Sequence, residues 1–261
     1  MFSSIGTYEA VGLFSSTHIF AIFVCLLFIA IAVYLTRNIS KEMYFKLIKI
    51  FAIVLTVLEV LKIFLSWSEK NFQLNAWMPL FFCSLFIYAL WMATSKKTSI
   101  RGLGLSYIAC ATIIAGLAFI IFPTTSFAWY PIFHFKCLYS MLYHSLMVYS
   151  GIMLYVTKVF ELDIKAVLKY CIFTLSFMIL ALIININFGS NLMFISNPGV
   201  VPIELLHTIY NYSPKLFTFV MLFAHIVLMG FGMYGIVKLI SYRSNRNCTA
   251  SEEIEIEHRT T

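Results

Sequence analysis

The sequence has 261 residues, of which 61% are hydrophobic and only 11% are charged, and its mean hydropathy is +0.92. A single soluble core cannot hide that share of apolar side chains, so the solvent is lipid. The formal net charge of +7 is spread through Lys and Arg between apolar runs, never interleaved with stacking aromatics, which excludes a nucleic-acid surface.

The apolar runs cover residues 17–36, 45–66, 77–94, 102–122, 137–159, 166–187 and 214–240. A hydrocarbon core about 30 Å thick needs roughly 20 apolar residues per helix, so each run is expected to span. The first run is not read as a cleaved leader, because no Lys or Arg precedes it whereas Arg37 and Lys41 follow it. Breaks after the odd runs hold Arg37, Lys41, Lys46, Lys49, Lys96, Lys97, Arg101, Lys158, Lys165, Lys169, Lys238, Arg243 and Arg246. The other breaks hold Lys70, Lys136 and Lys215. Thirteen cations against three predict an outside N-terminus and a cytoplasmic C-terminus. The expected fold is an all-α membrane protein, a bundle of about seven transmembrane helices over residues 1–243. Residues 244–261 form a polar cytoplasmic tail expected to be disordered. The plasma membrane is the expected location. The long break at 188–213 carries Gly189, Pro198, Gly199 and Pro202 and reads as a lid or re-entrant segment.

With odd runs going inward and even runs outward, the polar residues gather towards the outer face. His18 falls near the outer end of the first run, and Glu59 and Lys62 in the outer half of the second. Cys83 is expected in the first two turns of the third helix, His144 in the outer part of the fifth and His225 in that of the seventh. Asn185, Asn187 and Asn191 close the sixth. Ionisable groups at membrane depth are costly and usually line an interior or a wet cavity. Plainer readings stand beside this one. Glu59 and Lys62, at i and i+3, can neutralise one another; His18 and His225 can bond between helices; an Asn near a helix end can be a cap. Cys25, Cys110, Cys137 and Cys171 read as packing.

Cys83 differs from them because Pro79 precedes it by one turn near an expected helix start. A helix N-terminus and a nearby His both favour the thiolate, the nucleophilic form. With His144 at the same depth, the pair has the parts for acyl transfer, Cys83 attacking an ester carbonyl while His144 moves the proton. Asn191, His18 or Lys62 could steady the oxyanion. Glu59, Asn187 and His225 complete the expected substrate-binding set. No metal-ligand spacing is present and no cofactor is expected.

Four stretches carry a resemblance: LFSSTHIF at 13–20, WMPLFFCS at 77–84, YHSLMVYSG at 143–151, and INFGSNLMFIS at 186–196 followed by Pro198. In their order they resemble the YwaF-like integral membrane proteins of bacteria, related to animal transmembrane protein 164. The resemblance implies seven helices and a cysteine-dependent enzyme that moves fatty acyl chains between phospholipids, with Cys83 as nucleophile and His144 as its partner. Membrane phospholipid is then the expected substrate, with transfer to an acceptor or to water left open. Phe81, Phe82 and Leu192 depart from the family pattern, the first two standing where polar residues are common and Leu192 where Tyr is expected. The alternative reading is a polar-solute or proton-coupled transport or binding protein without catalysis. Polar residues are almost absent from the inner half of the runs, which favours a site at the outer leaflet.

Overall fold

The computed structural model describes residues 6–69, 73–199 and 201–243, so the expected tail and Cys248 lie outside the described residues. Among the described residues the secondary structure is entirely helical, without strands.

The chain begins with α1, Ser16–Thr36, where the Ser15 side chain accepts the His18 N–H. Helix α2, Lys41–Ser68, is capped in the same way by Ser40. A one-turn helix α3, Leu74–Trp77, and the short α4, Leu85–Ala93, follow. Three long helices come next: α5, Thr98–Ile121; α6, Phe135–Val156; and α7, Ile164–Phe188. Helix α8, Glu204–Tyr212, precedes α9, Pro214–Arg243, which opens with Pro at its first turn under a Ser213 cap.

Five helices, α1, α5, α6, α7 and α9, are long and apolar enough to cross a bilayer, which makes this a multi-pass membrane protein. Helix α2 has 28 residues, a length of about 42 Å at the usual rise. It also carries Glu42, Lys46, Lys49, Glu59 and Lys62. The expectation of one helix across 77–94 is corrected. Pro79 drives the residue before it out of the helical region, and Met78 is extended at φ −72° and ψ 124°. The helical part resumes only at Leu85, and nine residues cover about 13 Å, too short to cross alone. The break at 188–213 also holds a helix, α8, that the composition of that segment did not announce.

Helices α5 and α6 form the middle of the bundle. Their apolar windows are 67% and 78% buried, against 17% for both α1 and α9, which therefore form the lipid-facing margin. Lipid is as apolar as leucine, so close packing and interhelical bonds, not hydrophobic burial, hold such helices together. Small residues supply the closeness. A methyl on Gly104 would strike the backbone of Ala89 and Ala93 on α4, and one on Gly116 would meet the His144 carbonyl on α6.

Candidate active site

Residues 78–84 are irregular backbone inside a helical bundle, an arrangement tolerated at membrane depth only where protein or a cavity satisfies the freed groups. Here two tyrosines do so. The Tyr107 hydroxyl donates to the Phe82 carbonyl at 2.5 Å and the Tyr143 hydroxyl to the Cys83 carbonyl at 2.9 Å. Cys83 is thereby held immediately before α4 and not within a helix, correcting the expected position. Ser84, Glu59 and Lys62 line the same cavity as Cys83. The helix N-terminus is present, one step after the thiol.

Cys83 lines a cavity of about 1230 Å³, above the roughly 300–1,000 Å³ of ordinary small-molecule pockets. Its apolar wall comes from Phe81, Phe82, Phe119, Phe122, Met193 and Met229. Glu59, Lys62, His144, Asn191 and His225 reach the same cavity, so six residues of the expected site converge although they come from distant parts of the chain. Lys62 Nζ lies 2.5 Å from Glu59 Oε1, and the Tyr139 hydroxyl donates to Glu59 Oε2 at 2.5 Å. Glu59 is buried and Lys62 is partly covered, so the pair neutralises its charge in the cavity wall.

His144 stacks on Phe119 with ring centroids 3.6 Å apart and planes 6° apart. Its Nδ1 lies 2.7 Å from the Ser140 carbonyl. A carbonyl only accepts, so Nδ1 carries the proton and Nε2 holds the lone pair. That Nε2 is buried and has no hydrogen-bond partner among the described residues. Cys83 and His144 therefore share the cavity without a hydrogen bond between them.

Around the cavity a second set of polar residues organises the loops. Asn191 is a hub: its N–H donates to Asn75 Oδ1, its amide donates to the Asn197 carbonyl and Oδ1, and its Oδ1 accepts from the N–H groups of Ser196 and Asn197. Asn185 behaves similarly, receiving Ser190 Oγ and the Leu192 N–H on its Oδ1. These bonds hold Met193 and Phe194 at φ 59° and 53°, a left-handed conformation that is strained for side chains of this size. The segment thus presses Leu192, Met193 and Ile195 into the core as a folded-in loop, with Phe194 packed on Phe81. Lys136, nearly buried, donates to Glu69 at 2.7 Å and to the Tyr130 hydroxyl at 2.9 Å. Burial pushes the Tyr130 phenol up from its usual range and the Lys136 ammonium works against that shift.

Two residues of the expected set are not in the cavity wall. The Phe14 N–H donates to His18 Nδ1 at 2.9 Å, which leaves the ring proton on Nε2, 3.1 Å from the Ile120 carbonyl. Both ring nitrogens of His18 are used in joining the N-terminal segment to α5. Asn187 is exposed and donates to the Ile183 carbonyl of its own helix. Conversely, Tyr139, Tyr143 and the Glu69–Lys136 pair escaped the sequence reading. Their partners lie 60 to 80 positions away, beyond any local spacing. The one available signal was Lys136 itself, a lone cation among the aromatic and apolar residues 132–139.

A helical multi-pass protein with irregular, tyrosine-held backbone beside a large, mostly apolar cavity that a few polar side chains enter is the class that these observations define. The model of the TMEM164 family matches residues 13–234, and the chain belongs to that family. No curated protein and no solved structure matches it.

Proposed function

We propose that the cavity transfers fatty acyl groups between membrane lipids through a Cys83 thioester. The observation that carries this reading is that a thiol and a buried imidazole with an unpartnered Nε2 line one large cavity with an aromatic wall. In the first half-reaction the Cys83 proton passes to His144 Nε2 as sulfur attacks the ester carbonyl. The acyl C–O bond breaks, and the departing alkoxide takes the proton from the imidazolium. Lys62 and the amide N–H of Ser84, both in the cavity wall, are the groups suited to the developing oxyanion. In the second half-reaction an acceptor hydroxyl attacks the thioester and restores the thiol. Catalytic hydrogen bonds are often long until substrate binds, so the missing Cys83–His144 bond is compatible with this assignment.

The same reading includes seven crossings, with α2 and the broken segment 78–93 adding to the five apolar helices, and a plasma-membrane orientation that puts the N-terminus outside. The Lys and Arg distribution supports it. Phe133, exposed between α5 and α6, is then an outside residue. Phe133→Cys in a background with the reactive native cysteines replaced should react with an impermeant maleimide in intact cells; reaction only after permeabilisation reverses the orientation.

Reconstituted protein given a phospholipid with a labelled acyl chain and an unlabelled lysophospholipid should move the label between them. Cys83→Ala should stop the transfer and Cys110→Ala should leave it. Transfer that survives Cys83→Ala removes the thioester. A second reading, solute binding or proton movement without catalysis, is favoured by the Lys62–Glu59–Tyr139 chain in the cavity wall, and is the one left if wild-type protein moves no label.

A further inference from the structure

A second histidine in the cavity repeats the arrangement of the first. His225 Nδ1 lies 2.7 Å from the carbonyl of Met221, the residue four positions earlier, as His144 Nδ1 does from that of Ser140. The carbonyl fixes the proton on Nδ1 here too, leaving a lone pair on Nε2. No protein group among the described residues engages that Nε2, and His225 lines the cavity. Its ring packs edge-on to Phe82 at 4.7 Å, and Phe82 is the residue before Cys83.

The backbone that carries His225 is unusual. Residues Ala224–Leu228 form a π-turn inside α9, a rare widening that marks functional positions in helices more often than chance allows. Helix α7 supports it from outside. The Tyr170 hydroxyl donates to the His225 carbonyl and the Cys171 thiol lies 3.9 Å from the Ile226 carbonyl. Gly230 lets the Tyr170 ring come close, since a methyl there would meet that ring at 2.8 Å. The widened turn is therefore held by specific bonds, and it carries the imidazole that packs beside the Cys83 loop.

We propose that His225 is the second base of the cavity and serves the second half-reaction, while His144 serves the first. This rests on the acyl-transfer reading above. The acceptor O–H gives its proton to His225 Nε2 as its oxygen attacks the thioester carbonyl. A C–O bond forms, the C–S bond breaks, and the imidazolium returns the proton to the Cys83 thiolate. Protons and electron pairs balance with no further reagent.

His225→Asn is the discriminating variant, because the Asn amide can still donate to the Met221 carbonyl while the Nε2 base is lost. With labelled phospholipid and a lysophospholipid acceptor, His225→Asn should load Cys83 at the wild-type rate but discharge it about 10² to 10⁴-fold more slowly, so that labelled thioester accumulates. His144→Asn should instead load slowly and accumulate none. Tyr170→Phe, which removes only the bond to the His225 carbonyl, should lie between wild type and His225→Asn in discharge. A His225→Asn protein that discharges at the wild-type rate overturns the assignment. So does one in which loading and discharge fall together while its melting temperature is unchanged. If wild-type protein never carries label on Cys83, the acyl-transfer reading fails and this assignment fails with it.

Discussion

Two buried histidines meet α5 at its C-terminal end, at the neighbouring residues Phe119 and Ile120, and the two are used in opposite ways. Near Ile120, His18 has one ring nitrogen accepting from Phe14 and the other donating to Ile120, with Phe127 edge-on and Phe14 tilted beside its ring. Beside Phe119, on the cavity side, His144 has one nitrogen engaged by its own helix and the other bare. An imidazole with both nitrogens engaged is a staple, since any change of tautomer or charge breaks a buried bond. An imidazole with one nitrogen fixed has its tautomer chosen and its lone pair available, which is what proton transfer requires. Burial alone does not separate them, because both are almost fully covered. The partner count does.

The comparison breaks most visibly at His144. Replacing His144 with Asn should lower acyl transfer about 10² to 10⁴-fold while the melting temperature moves much less, since the Asn amide can keep the bond to the Ser140 carbonyl and the bare nitrogen that is lost contributes no hydrogen bond to the fold. Equal losses of activity and stability would make His144 a second staple. Next comes the Glu59–Lys62 pair. Glu59→Gln alone leaves a partly covered ammonium without its counter-charge and should lower stability measurably, whereas the double replacement Glu59→Gln with Lys62→Met should recover most of the loss. Additive losses in chemical denaturation would argue against a coupled pair. His18→Ala should follow, costing about 1–3 kcal/mol of stability through the stranded Phe14 N–H and Ile120 carbonyl. Its activity per folded molecule should stay near wild type, and a selective loss of turnover would bring His18 back into the reaction. Asn187→Ala is the smallest, expected within about 0.5 kcal/mol and without effect on transfer, because this side chain is exposed and bonds only to its own helix.

Much of this fold is written locally. The long apolar stretches of α1, α5, α6, α7 and α9 can be read directly, and Ser15, Ser40, Asp163 and Ser213 cap helices through their own side chains. The third run misled because Pro79, which reads as the opening of a helix, is followed by irregular backbone up to Leu85. Met78 and Pro79 redirect the backbone, and the Cys83 loop exists because Tyr107 and Tyr143 satisfy it from other helices. The candidate site was legible as a list of polar residues at one depth, and Glu59, Lys62, Cys83, His144, Asn191 and His225 do share a cavity. Depth could not say that His18 turns its ring into a junction with α5, because that depends on the carbonyl of Ile120, 102 positions away. Nor could it give Tyr139, Lys136 or the π-turn under His225, which depend on partners in other helices.

The central claim is that Cys83 carries the acyl group. Protein incubated with a labelled phospholipid and no acceptor should be digested and the peptide containing residue 83 examined by mass spectrometry before and after neutral hydroxylamine. A fatty acyl mass on Cys83 that hydroxylamine removes, and that is absent from Cys83→Ala, is the expected result. An acyl mass on another cysteine, or on none while lipid transfer proceeds, would contradict it.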